Sequence, residues 1–217
     1  MDILEIMRAR HSVRQYREGK IESDKRQALE KLAKECNRAS GLNIQLIFDE
    51  PKCFQGFMAH YGKFSGVENY IALVGKKGAD LEEKAGYYGE KLVLKAQELG
   101  LNTCWVALTH GKCSAKVRKG EKLICIIALG YGAVQGTEHK NKPLEQLCDC
   151  IDTMPDWFSK GMEAVLLAPT AMNQQKFYFT MKNGKVYAKA GKGFYTKMDL
   201  GIVKYHFEAV TGHRVES

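Results

Sequence analysis

The sequence predicts an α+β protein in which helices flank a mixed, mainly antiparallel sheet. Segments with apolar residues every three or four positions alternate with short apolar runs that are typical of strands. The dipeptide Asn183-Gly184 stands between two such runs, which indicates a β-hairpin. A length of 217 residues, of which 45% are hydrophobic and 27% charged, fits one globular domain.

The elements predicted for the first part of the chain end at residue 129. Helical spacing predicts a short helix over 2–9 and a longer one over 25–36. The longest helical signal covers 81–99, and Gly100 ends it. The other expected elements are strands at 43–48, 70–74 and 122–129, a loop with a short helix at 51–66, and a helix near 114–118.

The pattern restarts after a polar, turn-rich stretch. A helix is expected over 156–167, and Pro169 stops it because proline disfavours helical backbone at the preceding residue. Two strands, at 177–181 and 185–188, surround the hairpin turn, and a last helix follows over 199–210. We expect His206 and His213, on or near this helix, to be surface groups.

The charge leaves several partners open. The chain has 33 basic and 25 acidic residues, a net charge of +8, which suits a nucleic acid, an anionic cofactor or simple solubility. Acidic residues are interleaved in several lysine-rich stretches, so we expect no dedicated nucleic-acid arm and no nucleic-acid partner.

Cysteines and apolar runs indicate the compartment. Seven cysteines without a Cys-x-x-Cys spacing predict a reducing compartment and no metal site. The apolar run 123–129 is far shorter than the roughly 20 residues that span a bilayer, and no secretory leader is recognisable. We therefore expect a cytoplasmic protein with no membrane partner.

One segment of the chain partly matches an earlier segment. Residues 168–175 read Ala-Pro-Thr-Ala-Met-Asn-Gln-Gln, and both this segment and its counterpart follow a helix-like run and lead into a strand-like one. Aligned without gaps, Ser40, Asn43 and Gln45 fall on Thr170, Asn173 and Gln175. A hydroxyl and two amides form a compact set of donors and acceptors that suits a polar, planar ligand.

A second candidate site lies near the start of the chain. Arg10, Ser12 and Arg14 occupy alternate positions, so in an extended segment their side chains point the same way. Guanidinium groups donate paired hydrogen bonds, so this edge could hold a phosphate or a carbonyl-rich ring. The alternative is a solvated basic turn after a helix.

Five motifs taken together resemble the FMN-dependent nitroreductase family over most of the chain. They are Arg10-His-Ser-Val-Arg-Gln-Tyr16, Gly100-Leu-Asn-Thr-Cys-Trp-Val106, Leu129-Gly-Tyr-Gly132, Lys142-Pro-Leu-Glu145 and Ala168-Pro-Thr-Ala-Met-Asn-Gln-Gln175. Their order is that of the family with one exception. The last motif usually lies soon after the first one, and here it comes last.

The resemblance implies an architecture that explains the displaced motif. Family members are usually intertwined homodimers, in which the Arg-Ser-Arg motif and the Pro-Ser-x-x-Asn motif reach one FMN from different subunits. Here one chain carries both. We therefore predict a single nitroreductase-like domain over 1–217 that is a pseudo-dimer, with residues 1–150 as the first copy and 151–217 as a partial second copy that completes the flavin site. A monomer is favoured, and a homodimer is the alternative.

The resemblance also implies a set of cofactor-binding residues. They are Arg10, His11 (through its backbone), Ser12 and Arg14 for the phosphate, ribityl chain and pyrimidine edge; Lys140 and Lys142 near the phosphate; Cys104, Trp105 and Val106 in the turn that approaches the flavin N5; His60 and Lys63 as polar contacts to the ring and ribityl chain; and Pro169, Thr170, Ala171 and Asn173 on the other side of the ring. No side chain is predicted to be a catalytic acid. Without the motif match, Trp105 could equally be a core aromatic, and Cys104 is expected to be a small buried residue rather than a nucleophile.

The activity that the resemblance implies is that of an FMN-dependent NAD(P)H oxidoreductase. It would work by ping-pong transfer from NADH or NADPH through FMN to a nitroaromatic, a quinone or a similar small-molecule electron acceptor. Arg14 or Lys63 would stabilise negative charge near N1 and O2 of the reduced ring.

Two alternatives to this activity stay open. The family often has a glycine after the residue that Trp105 matches, whereas this chain has Val106-Ala-Leu108, which favours a flavin-binding carrier or regulator without significant turnover. The basic charge also allows a nucleic-acid binder with no cofactor.

Overall fold

The computed structural model describes residues 2–149 and 154–216, which fall into two units. One unit consists of Ala9–Leu81 and Lys91–Thr137 and is called the four-stranded unit. The other consists of Met1–Arg8, Glu82–Glu90 and Glu138–Ser217 and is called the three-stranded unit. The predicted boundary between the copies 1–150 and 151–217 lies outside the described residues, and that division stays a prediction.

Six α-helices, seven strands and three short 3₁₀ turns make up the described residues. In chain order they are α1 (Ile3–Ala9), α2 (Ser23–Ser40), β1 (Gln45–Ile47), a 3₁₀ turn (Pro51–Phe54), α3 (Phe57–Tyr61), β2 (Asn69–Lys76), α4 (Leu81–Glu98), β3 (Asn102–Val106), β4 (Glu121–Gly130), a 3₁₀ turn (Leu144–Gln146), α5 (Asp156–Leu166), a 3₁₀ turn (Ala171–Asn173), β5 (Phe177–Lys182), β6 (Lys185–Ala190), α6 (Thr196–Thr211) and β7 (Val215–Glu216). The α+β class is confirmed. No helix among these elements is both long enough and apolar enough to cross a membrane.

The four-stranded unit contains an antiparallel sheet with the strand order β1-β2-β4-β3. The central strands β2 and β4 are apolar along most of their length, and Tyr70, Ile71 and Ile126 are fully buried. A continuous apolar run is what a strand needs when both of its faces are covered. Strand β3 lies at the end of the sheet and pairs with β4 along one edge, where Cys104 is opposite Ala128. The other edge of β3 can therefore pair with another segment.

Helix ends in this unit follow the sequence signals. Gly41, with φ of 74°, ends α2, and its N–H donates to Asn37 O. Gly100, with φ of 75°, follows α4, and the N–H of Leu101 donates to Ala96 O at 2.9 Å. Both glycines adopt the left-handed conformation that commonly terminates helices.

The three-stranded unit contains a sheet with the order β5-β6-β7, in which β7 runs parallel to β6. The predicted hairpin joins β5 and β6, and Asn183 and Gly184 have φ of 51° and 73°, as a type I′ turn requires. Helices α5 and α6 pack together around Phe158 and Phe207, which are fully buried. Gly161 makes room for the Phe207 ring, since a Cβ there would lie 2.3 Å from it.

Within this unit α4 and α6 approach each other at two equivalent glycines. Gly86 is the sixth residue of α4 and Gly201 is the sixth residue of α6. A Cβ on Gly86 would lie 2.0 Å from Met198 O, and a Cβ on Gly201 would lie 2.0 Å from Glu83 O. Met198 and Glu83 are each the third residue of their helix. The contact is therefore reciprocal, as between surfaces related by a two-fold axis.

One predicted helix is wrong, and two strands were not anticipated. The segment 114–118 is not helical, because Ser114 N–H donates to the Tyr70 hydroxyl at 3.0 Å and Lys116 N–H donates to Gln45 Oε1 at 2.8 Å. Together with Gln45 Nε2 donating to Lys116 O at 2.8 Å, these contacts tie the segment to β1 and β2, and five residues have too weak a helical preference to compete. Strands β3 and β7 were not predicted as strands, and β1 is shorter than the expected 43–48.

The expectation that His206 is a surface group is also wrong. His206 is fully buried, with Nδ1 at 2.8 Å from Ala164 O and Nε2 at 2.9 Å from Glu90 Oε1. Glu90 is buried as well, so the imidazole and the carboxyl group satisfy each other inside the unit. His213, by contrast, is exposed and stacks on Trp157 with ring centroids 3.9 Å apart.

Candidate functional site

The Arg10–Arg14 segment runs along the free edge of β3. Val13 N–H donates to Thr103 O at 3.0 Å, and Ser12 pairs with Thr103 in a parallel bridge. Val13 is buried, whereas Ser12 and Arg14 are exposed. The segment is therefore an extended edge held by the sheet and not a loose turn after α1.

The alternating side chains of this segment surround one thiol. Burial raises the pKa of Cys104, while Arg14, a hydrogen bond with Ser12, and Arg10 oppose that rise. Cys104 is 3% exposed and stays a neutral thiol, in agreement with its predicted structural character. Arg10 is itself buried, so two guanidinium groups and a hydroxyl meet at this strand.

Tyr16 belongs to the same cluster, although no functional significance was predicted for it. It is next in the alternating series after Arg14, and that spacing could have pointed to it. Burial raises the pKa of its hydroxyl well above the ordinary range, Cys104 adds to the rise, and Arg14 opposes it. Within residues 2–149 and 154–216 this buried hydroxyl has no hydrogen-bond partner, which is rare in folded proteins.

A loop holds the Arg10–Arg14 segment from behind. Gly136 approaches it so closely that a Cβ would lie 2.8 Å from the His11 Cβ and 3.0 Å from Ser12 O. Asn102, which is buried, fixes this loop by accepting a hydrogen bond from Gly132 N–H at 2.9 Å and donating to Gln135 Oε1 at 3.1 Å. Asn102 was part of a recognised motif but had been given no role.

The segment after α3 contains Lys63 and binds Arg14 through Ser65, whereas His60 lies within α3. Ser65 N–H donates to Arg14 O at 3.0 Å, and the Arg14 guanidinium lies 6.0 Å from the centre of the Phe64 ring. Lys63 is exposed, and so is His60, whose Nδ1 lies 3.1 Å from Gly56 O.

The turn after β3 packs on the same segment. The expectation that Cys104, Trp105 and Val106 lie in a turn is wrong, because all three belong to β3 and pair with β4. Val106 is buried and Trp105 is half-buried, so these two side chains contribute to the fold. A Cβ on Gly62 would lie 2.7 Å from the Thr109 Cβ, which leaves room only for a glycine there. In the four-stranded unit the structure thus brings Arg10, Ser12, Arg14 and Cys104 together and places Lys63 two residues from a segment bonded to Arg14.

The remaining predicted residues meet in the three-stranded unit. Asn173 Nδ2 and Gln175 Nε2 both donate to Lys140 O at 2.8 Å. Lys142 N–H donates to Gln175 Oε1 at 3.0 Å, and Lys142 Nζ donates to Gln175 O at 3.2 Å. The two amides that seemed suited to a ligand therefore bind the protein backbone and fix the position of both lysines.

The earlier segment of the chain uses the same device. Asn43 Nδ2 and Gln45 Nε2 donate to Lys116 O at 3.4 and 2.8 Å, and Lys116 N–H donates back to Gln45 Oε1 at 2.8 Å. As with Asn173 and Gln175, two amides two residues apart converge on one lysine carbonyl. The sequence repeat thus corresponds to a repeated hydrogen-bond pattern.

The later segment differs in its backbone. Met172, Asn173 and Gln175 have φ of 52°, 53° and 42°, in the left-handed region that non-glycine residues seldom adopt. The Thr170 hydroxyl oxygen accepts from Gln175 N–H at 3.1 Å and helps to hold this shape. Pro169 and Ala171 are half-buried, while Met172 projects outward with 86% of its surface exposed.

Asp199, in the first turn of α6, is a further residue that sequence reasoning missed. Its Oδ1 accepts from Ala171 N–H at 2.9 Å and its Oδ2 accepts from Gln174 Nε2 at 2.7 Å. Burial raises the pKa of Asp199 to about 6, and these two hydrogen bonds oppose the rise. An acid in the first turn of a helix is common, so the sequence carried no signal for this contact.

The α+β fold and an Arg-Ser-Arg edge beside a sheet strand define a protein of the nitroreductase type. The model of the family described as "Putative TM nitroreductase" matches residues 2–211. The chain therefore belongs to this nitroreductase family and is an oxidoreductase. A comparison with curated proteins finds no match.

Solved structures share the fold. A "putative nitroreductase" from Thermotoga maritima MSB8 is 22% identical, with 97% of this chain and 83% of that chain covered and a TM-score of 0.70. A "putative nitroreductase in complex with FMN" from Desulfovibrio desulfuricans is 16% identical, with coverage of 67% and 94% and a TM-score of 0.54. A "Putative NADH dehydrogenase/NAD(P)H nitroreductase" from Parabacteroides distasonis ATCC 8503 is 17% identical, with coverage of 67% and 95% and a TM-score of 0.52.

The share of this chain that aligns differs between the three structures. The last two structures align over nearly their whole length but over only 67% of this chain, so about a third of this chain has no counterpart in them. The Thermotoga structure covers 97% of this chain. The additional third is thus shared with one structural neighbour and missing from the other two.

Proposed function

We propose that this chain is an FMN-dependent oxidoreductase that transfers electrons from NADH or NADPH to a small-molecule acceptor such as a nitroaromatic or a quinone. The observation that carries the proposal is the Arg10–Arg14 edge along β3, in a chain that matches a nitroreductase family over residues 2–211. The two substrates would use the site in turn, as in a ping-pong reaction.

The donor set on this edge fits a phosphorylated, electron-poor ring. Arg10 and Arg14 supply guanidinium groups, and Ser12 supplies a hydroxyl beside them. Such groups make charge-assisted hydrogen bonds to phosphate and carbonyl oxygens. Arg10 is held in place by burial, which reduces the conformational entropy lost on binding.

When bound, FMN would supply the redox chemistry, and the protein would supply binding and electrostatics. Arg14 would stabilise the negative charge that a reduced ring carries, and Lys63 would contribute to this stabilisation. The Arg14 backbone is bonded to Ser65 and its guanidinium lies near Phe64, so the cation has a defined position. No side chain is proposed as a proton donor, because water can fill that role.

We infer further that residues 151–217 are a partial second copy of 1–150, so that one chain supplies both sets of flavin-binding residues. The reciprocal approach of Gly86 and Gly201 supports this duplication, since it is the contact that two related helices make across a two-fold axis. The repeated amide device and the additional third of the chain support it as well.

In the proposed second half, Pro169, Thr170, Ala171 and Asn173 would lie against the flavin ring. The amide of Asn173 is bonded to the backbone of Lys140, so its contribution would be to shape the segment and hold the lysine charge nearby. The Thr170 hydroxyl accepts one hydrogen bond from the protein, which leaves its proton for a ligand oxygen.

The test is a flavin titration combined with a mass measurement. We expect purified protein to bind one FMN per chain at monomeric mass, with NADH or NADPH bleaching the flavin absorbance and a quinone or nitroaromatic restoring it. Bound FMN that neither nicotinamide bleaches would instead identify a flavin carrier or regulator. Activity confined to a dimer would contradict the proposal that one chain is self-sufficient.

A colourless protein that takes up no FMN would overturn the proposal altogether. If such a protein bound DNA with a steep salt dependence, the result would support the alternative of a basic nucleic-acid binder with no cofactor. Variants at Arg14 separate these outcomes, because Arg14→Ala should weaken FMN binding sharply while removing only one of 33 basic side chains.

A further inference from the structure

The segment 170–175, called the 170s loop, has a backbone that needs external support. Met172, Asn173 and Gln175 all have positive φ, and none of them is glycine. Such backbone is unfavourable for a residue with a side chain and persists only where the surroundings hold it. The loop must therefore be fixed by contacts beyond its own residues.

Asp199 makes two of those contacts with one carboxyl group. One oxygen accepts from Ala171 N–H at 2.9 Å, and the other accepts from Gln174 Nε2 at 2.7 Å. The same Gln174 nitrogen donates to Phe194 O at 2.7 Å, which ties the bridge to the residues before α6. Asp199 thus joins the start and the end of the 170s loop to the first turn of a buried helix.

Asp199 occupies a position that is unfavourable for an ionised carboxyl group. Its side chain is 2% exposed, and no basic side chain among the described residues forms an ion pair with it. A carboxyl group buried with only neutral donors is costly to ionise, and burial raises its pKa to about 6.

The position of Asp199 in α6 can be compared with the equivalent position in α4. Gly86 and Gly201 align α4 with α6, and in that register the counterpart of Asp199 is Lys84. The register therefore gives the first segment, residues 40–45, no acid equivalent to Asp199; the carboxylate that this segment binds is that of Glu121, which accepts from Asn43 Nδ2 at 3.1 Å. In that segment only Gly41 has a positive φ, as the cap of α2. An acid from the paired helix and a run of non-glycine residues with positive φ are both present in the later copy and both missing from the earlier one.

From this pairing we propose that Asp199 is a positioning residue: it holds the 170s loop in its left-handed conformation and thereby sets the affinity for FMN. The inference rests on the proposed function, in which this loop contacts the flavin. Both oxygens of Asp199 accept hydrogen bonds from the 170s loop, so it is assigned no direct contact with the flavin. Its effect would pass through Ala171 and Gln174.

The test compares FMN dissociation constants of the full chain and its variants, measured by the quenching of flavin fluorescence. Asp199→Asn keeps an acceptor for Ala171 N–H but sets an amide N–H against Gln174, and we expect binding to weaken by about tenfold or more. Asp156→Asn is the matched control, since Asp156 is an exposed acid in the first turn of α5 in the same unit. It should bind FMN like the wild type.

A spectroscopic readout separates positioning from a general loss of stability. The visible circular dichroism of bound FMN reports the asymmetry of its surroundings, so at saturating FMN it should change in Asp199→Asn and stay unchanged in Asp156→Asn. If Asp199→Asn does not fold, Gln174→Met breaks the same bridge from the loop side and should reproduce both effects.

The possible results are distinguishable. Wild-type protein that binds no FMN overturns the proposed function. Wild-type protein that binds FMN, with Asp199→Asn or Gln174→Met equal to it in affinity and in visible circular dichroism, overturns the role of Asp199 alone.

Discussion

Replacing Gly86 by alanine tests the reciprocal contact between α4 and α6. The new Cβ would lie 2.0 Å from Met198 O and 3.1 Å from Ile202 N, and both atoms belong to the backbone of α6. Ordinary contacts of a Cβ lie at 3.4–4 Å, so the helices would have to separate by more than 1 Å. Neither helix can relieve the clash by turning a side chain.

The sign of the effect is diagnostic. Glycine to alanine inside an unhindered helix stabilises by about 0.5–1 kcal/mol, because alanine has the higher helix propensity. Overpacking in a close-packed interior destabilises by about 1–3 kcal/mol, and contact with backbone places this case at the upper end. We expect a net loss of about 2 kcal/mol in the free energy of unfolding, or about 4 to 8 °C in Tm for a chain of this size.

The assay is urea denaturation followed by far-ultraviolet circular dichroism. Gly201→Ala should cost about as much as Gly86→Ala, because its Cβ meets Glu83 O at the same 2.0 Å. The double variant should cost less than the sum, since helices already apart accommodate the second methyl group. Gly56→Ala, with open space around its Cβ, is the control. Stabilisation by Gly86→Ala would refute the reasoning.

Three further predictions follow from other contacts. The pKa of Asp199 is about 6 in the folded state and 3.8 ordinarily, so the folded state binds this proton more tightly. The free energy of unfolding should therefore fall as pH rises from about 4 to 6. Urea titrations of Asp199→Asn should lack this pH-dependent fall. Glu90→Leu should cost about 3 kcal/mol in the same assay, because it removes the carboxyl group that the buried His206 Nε2 binds, and a cost below about 1 kcal/mol would contradict the pairing. Asn173→Ala should weaken FMN binding by about 1–3 kcal/mol and Asn43→Ala by much less; equal losses in fluorescence titrations would mean that both copies bind flavin.

The sequence predicted the elements whose signals are local. The hairpin at Asn183-Gly184 is confirmed because that dipeptide tolerates two consecutive residues with positive φ. The helices that begin near residues 25, 81, 156 and 199 are confirmed because each has apolar residues at helical spacing, and Gly100 and Pro169 mark the ends of the second and third. The helix predicted over the short segment 114–118 is wrong, because contacts with Tyr70 and Gln45, which are distant in the chain, decide its conformation.

Parts of the candidate site were readable from the sequence for a similar reason. Arg10, Ser12 and Arg14 stand at alternate positions, and a strand edge keeps alternate residues on one side. The participation of Tyr16 follows from the same spacing but was overlooked. The positions of Lys140 and Lys142 relative to Asn173 and Gln175 depend on contacts over more than 30 residues, for which the sequence has no signal.

By itself, then, the sequence determined the α+β class, most helices and strands, the repeated hydroxyl-amide segment and the motifs that the family match supports. These depend on local backbone preference and on residue types at short spacing. Only the tertiary structure decided that the repeated amides bind a lysine carbonyl, that Asp199 supports the 170s loop and that Gly86 faces Gly201. Each of these facts is a contact between residues far apart in the chain, and such a contact exists only once the packing of the helices and strands has brought the two groups together.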